Sequence, residues 1–583
     1  MKPLNYSRLR KRALIQGLAL WGSVVLLSLI WGRCTELAAD GQTPGNSFLA
    51  VINQILDNPL TLLTMFPRTA AGWTYGFYGM VLGILAPLKT YDNYIHKKDL
   101  RPSKENGSAK WNEDLKGFTA KYTDTTLRIG TGSKNMIMTE EIQLSMDTRK
   151  TRRNNYVLVI GGSGTGKSRF LVIPNLMQAN CSFVVTDPSG ELLEAMGSFL
   201  EDQGYEIKVF NLIDMERSDN YNPFRYVRND EGILTMITAL IANTNPKGSK
   251  PSDPFWEKAE TALLEAICFL IYHNFKDEEK NFSYVMKLLR MAEAEEGQKS
   301  ALDNLFESED ANSLAAKCYA VYRSAGGGKT AQSIVISAQT RLHTFNLPAI
   351  EKLTNTDTID LGSLGDKKTA LFCLTPTADT TFNYLVGLMY TQLFETLYNK
   401  AETKYTGKRL PYHVRFLLDE FANIGTIPDF CQKLATMRKY EISCTVILQA
   451  LSQLKALYKD DWEVIIGNCD SLLFLGATDK TTLEYISAIL GKETIRSLNT
   501  TRSYGKQGSF TTNYNKVGRE LMTPDELKIM DNEACIYFLR GLEPFYATKF
   551  NVEHHPNFKK TGVGDPDKRY PLADKKSTKG VTQ

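Results

Sequence analysis

Two short stretches carry residue types that could do chemistry. The first is Gly161-Gly162-Ser163-Gly164-Thr165-Gly166-Lys167-Ser168, with four glycines in six positions and a closing Lys-Ser pair. It satisfies G-x-x-x-x-G-K-[ST]. Glycines let successive backbone N–H groups converge on phosphate oxygens with no Cβ in the way. Lys167 is then placed to reach β- and γ-phosphates, and the Ser168 hydroxyl to ligate Mg2+. The second stretch, "HVRFLLDEFANIG", sets Asp419 and Glu420 at the end of an apolar run. Asp419 would hold the water shell of the metal, and Glu420 would polarise a water aimed at the γ-phosphate of ATP. A flexible glycine turn or a solvated strand end would explain either stretch alone. Together they predict a Mg2+-dependent ATP-cleaving site.

Such a site needs a strand before the loop and a helix after it. Tyr156–Ile160 reads as the strand, and a helical pattern follows, with Pro174 expected to kink it. The helix adds its free N–H groups and the positive end of its dipole. Further apolar runs bounded by turn residues lie at 181–190, 368–376, 443–454, 470–478 and 534–541. Their alternation with helical stretches predicts an α/β fold built on a mostly parallel sheet. Ligand groups at the carboxyl ends of such strands fit the rule for open sheets.

About 250 residues separate Lys167 from Asp419, far more than two neighbouring strands require. Much of the gap is helical in pattern. Asp253 reads as an N-cap with Pro254 at the first helical position, and Phe255, Ala259, Leu263, Ala266, Ile267 and Leu270 recur at helical spacing. An inserted all-α domain is expected over 229–350. The Gly328-Lys329-Thr330 triplet lies inside it but has Arg323 where the first motif glycine belongs, so it reads as a loop opening a helix.

The chain of 583 residues is too long for one core. Its net charge of +4 neither demands nor excludes nucleic acid. The nine cysteines contain no CxxC pair, which reads as core thiols in a reducing compartment. Residues 13–32 are uncharged and long enough to cross a bilayer, with Lys2, Arg8, Arg10, Lys11 and Arg12 before them. A second uncharged run covers 69–88 and is followed by Lys89, Lys97, Lys98 and Arg101. The charge pattern predicts two spans with both ends cytoplasmic. A cleaved signal peptide would have a shorter apolar core. The expected organisation is a membrane anchor over 1–100, a nucleotide-binding domain over 101–228 and 351–555, the insertion between them, and a disordered tail over 556–583.

In order and spacing, "GSAKW" (107–111), "GGSGTGKS", "VVTDPSGEL", "LLDEFANIG", "ATMRKYEIS", "ILQALSQL" and "RELMTPDEL" resemble the type IV secretion coupling proteins of the VirD4/TraG kind. The resemblance implies a RecA-like P-loop domain with a helical insertion, hexameric rings with nucleotide between subunits, and ATP and Mg2+ as ligands. It implies that Arg438 reaches a neighbour's γ-phosphate and that Gln449 senses nucleotide state. Asp187 falls in a further acidic motif, where Ser189 stands in place of the lysine of many members, and no role is assigned to it. The implied function is recruitment of a relaxase-bound strand to a secretion channel and its transfer by ATP hydrolysis. Two other readings are a septal DNA pump of the FtsK kind and a docking receptor that uses nucleotide only as a switch. The first normally carries more spans and a terminal winged helix, and the second does not require Glu420.

Overall fold

The computed structural model describes residues 6–39, 44–63, 66–81, 83, 104–245, 254–293, 298–326, 328–377, 379–502 and 510–572. The chain forms two compact units, residues 1–108 with 492–519, and residues 109–491 with 520–583.

In the first unit a 34-residue helix, Tyr6–Ala39, contains the uncharged run 13–32. Its stretch Leu18–Glu36 is, among the described residues, the one helix long and apolar enough to cross a membrane. Residues 70–81 of the second expected span are helical, and 84–88 lie outside the described residues. The two helices run antiparallel at close range. A Cβ on Gly76 would come within 2.3 Å of Leu29, and one on Gly79 within 2.2 Å of Ser28. Small residues at such a seam let helix backbones approach. Glu36 accepts hydrogen bonds from the Arg68 and Thr69 backbone N–H groups at 2.9 and 2.7 Å and so caps the second helix.

The strands are β1 (Asn135–Ile137), β2 (Gln143–Ser145), β3 (Val157–Ile160), β4 (Ser182–Pro188), β5 (Glu206–Asn211), β6 (Thr369–Thr375), β7 (Val414–Leu418), β8 (Ile442–Leu448), β9 (Ser471–Phe474), β10 (Lys492–Arg502), β11 (Phe510–Glu520), β12 (Ala534–Leu539) and β13 (Phe545–Thr548). Nine of them form one sheet in the second unit, ordered β13-β12-β9-β3-β8-β7-β4-β6-β5. From β9 to β5 all neighbours are parallel, while β12 and β13 extend the β9 edge antiparallel. Every residue of β3, β6, β7 and β8 is buried. Helices cover both faces, which is why these strands read as continuous apolar runs.

Between β5 and β6 the described residues contain helices and no strand. Pro254–Asn274 is the longest helix there and buries Ala259, Leu263, Ala266, Ile267 and Leu270, whereas Phe255 is exposed. Asp253 lies outside the described residues. The Phe306 and Tyr319 rings stack at 4.0 Å, and Arg341 grips the buried Glu260 through Nε and Nη2. Gly328 caps the helix Lys329–Leu342 and has no strand before it.

Two expectations need correction. The span 351–555 is not one piece: the polar hairpin β10–β11 pairs with 104–108 through the Ser108–Glu493 bridge and the Asn106–Thr494 bond, and belongs to the first unit. The tail is also ordered as far as 572. Gly562 N donates to Ala195 O at 2.8 Å and Tyr570 N to Glu194 O at 2.9 Å. Tyr570 is buried over Gly197, where a Cβ would lie 2.5 Å from the ring. A Lys- and Asp-rich composition conceals these few anchors. Residues 573–583 lie outside the described residues.

Candidate functional site

The glycine-rich loop leaves β3 at the carboxyl edge of the sheet. Its base is clamped between neighbouring strands: Gly161 N donates to Leu448 O at 3.0 Å, and Gly162 N to Gly476 O at 2.8 Å. Gly164 and Gly166 both have φ of +77°, and a Cβ on Gly166 would strike the Phe170 ring at 2.4 Å. A side chain at Gly166 is thus excluded by both backbone and space. The following helix begins with a widened turn in which Ile173 N donates to Ser168 O, five residues back. Pro174 comes next and has no N–H to give, so the expected kink takes the form of a π-turn over Ser168–Val172.

β7 lies two strands away, with β8 between, and ends on Asp419-Glu420. Ser168 Oγ donates to Asp419 Oδ2 at 2.8 Å, so the two motifs meet directly. Glu420 turns at φ of +48°, a conformation costing about 1–2 kcal/mol for a residue with a Cβ. That turn brings its carboxylate between two amides. Gln449 Nε2 donates to Oε1 and Asn423 Nδ2 to Oε2, each at 3.0 Å. Gln449 in turn is fixed by its own N–H donating to Gln453 Oε1 at 3.0 Å.

Lys167, Ser168, Asp187, Asp419, Glu420 and Gln449 line one cleft of about 390 Å³. Lys167 Nζ donates to Gly162 O at 3.1 Å. Burial pushes its ammonium below the ordinary lysine range, against the pull of Asp419 and Glu420. Burial pushes Asp419 up, opposed by the Ser168 hydrogen bond and Lys167. Asp187 is pushed up to about 6, mainly by burial, with the Asp419 charge adding to the effect. A serine hydroxyl on a buried aspartate, with further carboxylates beside it, is an oxygen donor set that suits Mg2+.

Of the residues given a catalytic part from the sequence, Arg438 is the one that is not brought to the cleft. It precedes β8, where its N–H donates to the Tyr156 hydroxyl and Nη2 to Thr148 O at 3.0 Å. The cleft lies past the other end of that seven-residue strand, about 20 Å away.

Three contributors escape a sequence reading. Arg415, 1% exposed, donates from β7 to Asn175 Oδ1 at 2.7 Å and to Thr445 Oγ1 at 3.2 Å, tying the loop helix to β7 and β8. A charge inside an apolar run was its only signal. Asn423 shows in the sequence only as the third residue after Glu420. Lys549, 3% exposed, donates to Thr165 O at 3.1 Å from a segment nearly 400 residues away, and no local pattern marks it.

A profile for type IV secretory system conjugative DNA transfer matches residues 113–561. Protein VirD4 of Rhizobium radiobacter is 24% identical over 407 residues, covering 67% of this chain and 56% of that one. Conjugal transfer protein TraG of Escherichia coli is 24% identical over 396 residues, covering 64% and 61%. The chain thus spans less than two thirds of the length of these curated relatives. The plasmid coupling protein TrwB has the same α/β fold. Its unbound form superposes with a TM-score of 0.57 at 17% identity, over 77% of this chain and 95% of that one. TrwB in complex with ADP and Mg2+ gives 0.54 at 17% identity, over 72% and 89%. Over most of its length, including both motifs of the cleft, this chain belongs to the type IV secretory system conjugative DNA transfer family.

Proposed function

We propose that the protein is a membrane-anchored, Mg2+-dependent ATPase that recruits relaxase-bound DNA to a conjugative secretion channel and drives its transfer. The observation that carries the reading is the meeting of Ser168 and Asp419 at 2.8 Å beside a Glu420 held by two amides. Neither a phosphate-binding turn nor a nucleotide-sensing receptor requires an acid so placed.

ATP would lie with its phosphates along Gly161–Ser168. Lys167 leaves Gly162 O and turns to the β- and γ-phosphates, an exchange of one oxygen partner for a charged one. Mg2+, when bound, would be held by Ser168 and Asp419 and supplies neutralisation of phosphate charge. Glu420 accepts the proton of the attacking water, and its two amides fix the direction of that acceptance. Gln449 links this carboxylate to β8, so its contact with Glu420 changes with the nucleotide. Arg438 has no route to its own cleft, and we assign it to the cleft of the next copy in a homohexameric ring.

The anchor is read as two antiparallel spans, 13–32 and 69–88, with the ATPase unit in the cytoplasm. Support comes from the flanking basic residues and the close helix seam. The helices between β5 and β6 are read as the inserted all-α domain.

The test is genetic. Deleting the gene from its conjugative element should abolish DNA transfer, and the wild-type allele should restore it. Lys167→Ala, expressed at the same level, should restore none. Transfer restored by Lys167→Ala contradicts the proposal.

A further inference from the structure

Asp187 stands in the same cleft without a part in the scheme above. The register pairs Thr186 of β4 with Leu418 of β7. Asp187 and Asp419 are therefore the next residues on adjacent parallel strands, on the same face, with backbones about 4.8 Å apart. Asp187 is 1% exposed. Its Oδ2 accepts from Leu193 N at 2.8 Å, across the first turn of helix Glu191–Asp202, which fixes the side chain. Its Oδ1 is buried with no hydrogen-bond partner among the described residues. The Leu192 and Gly190 N–H groups also face the carboxylate, but no described residue makes a well-formed hydrogen bond to this oxygen, and it needs a donor.

The charges around it point to the kind of donor. The cleft is lined by Asp187, Glu191, Asp419 and Glu420 against Lys167 and Arg169. A triphosphate adds more negative charge to this excess. Lys167 and Arg169 do not offset that excess, and a divalent cation would. We infer that Asp187 is a further carboxylate of the divalent-cation site, its Oδ1 accepting hydrogen bonds from the hydration shell of the ion held by Ser168 and Asp419. This rests on the ATPase reading of the cleft.

Asp187→Asn keeps the shape and an oxygen for Leu193 N while removing the charge. Mn2+ affinity in the presence of ADP, followed by electron paramagnetic resonance of the full chain in detergent, is the readout. ADP affinity in EDTA is measured alongside. The expected result is Mn2+ binding at least tenfold weaker, with ADP affinity in EDTA within twofold of wild type. Mn2+ affinity within twofold of wild type overturns the inference. Asp419→Asn separates the two levels. If it loses Mn2+ while Asp187→Asn does not, only the role of Asp187 falls. If neither Asp419→Asn nor Lys167→Ala changes Mn2+ or ADP binding, the ATPase reading falls with it. Asp187→Ser leaves a hydroxyl for Leu193 N and is judged by the same limits should the asparagine chain fail to fold.

Discussion

Replacing Glu420 by glutamine keeps the length of the side chain and removes its charge. The two carboxylate oxygens are each 3.0 Å from an amide nitrogen, those of Gln449 and Asn423. Glutamine can accept from one of these but must turn its own NH2 toward the other. Rotating the Asn423 amide by half a turn presents its oxygen instead and repairs the clash. What remains is the difference between charge-assisted and neutral hydrogen bonds, about 1–2 kcal/mol of stability. The effect on chemistry is larger. A positioned proton acceptor contributes about 10²–10⁴ in rate, or about 3–5 kcal/mol of barrier. Phosphate release by the full chain at saturating ATP with DNA should therefore fall at least a hundredfold. Binding of a fluorescent ADP should stay within about threefold. Turnover within tenfold of wild type would refute the assignment of Glu420 as acceptor. Loss of ADP binding by a folded variant would show that Glu420 shapes the pocket instead.

Lys549→Met removes the buried cation behind the phosphate loop, at 3.1 Å from Thr165 O and 5.5 Å from the Phe170 ring centre. Steady-state kinetics should show the ATP KM raised about tenfold with kcat within threefold, and Lys549→Arg should recover part of the loss. An unchanged KM would mean that the loop holds its shape without this contact. His555 is buried, with Nε2 lacking a partner among the described residues, and desolvation pulls its pKa from 6.5 to about 4. Between those values the unfolded chain binds a proton that the folded chain refuses. Stability should therefore fall as pH drops from about 6.5 to about 4, by at most about 3 kcal/mol, and denaturation of His555→Gln should lack that slope. Arg341→Leu strands the buried Glu260 and should cost about 3–5 kcal/mol in chemical denaturation, with most of it recovered by Arg341→Leu/Glu260→Leu.

The two motifs that meet in the cleft, 161–168 and 419–420, were legible because each is local: glycines, lysine and serine stand in one turn, and the acids directly follow an apolar run. The buried central strands were legible for the same reason, since a strand covered on both faces reads as an unbroken apolar stretch. β5, with Glu206 and Lys208 on its exposed side at the sheet edge, breaks that pattern and was missed. The hairpin β10–β11 is largely polar, and its few apolar residues, Ile495, Leu498, Phe510, Tyr514 and Val517, form no unbroken run to betray it. Asp187 was visible as a strand-ending acid. Its meaning depends on β4 lying beside β7, a neighbour relation that a separation of 232 positions in the chain leaves open. Arg438 shows a different case. Its place in a motif implied contact with a neighbour's γ-phosphate, and the direction of β8 puts it at the edge of the sheet away from its own cleft.

The central claim is that one Mg2+-bound triphosphate is gripped by Gly161–Ser168 and cleaved beside Asp419-Glu420. Diffraction from the full chain with Mn2+ and a non-hydrolysable ATP analogue tests it most directly, because anomalous scattering locates the ion independently of any fitted chain. The peak should lie within coordination distance of Ser168 Oγ and next to Asp419, with the γ-phosphate between Lys167 and Glu420. Nucleotide bound elsewhere, or a manganese peak remote from Ser168, would contradict the account.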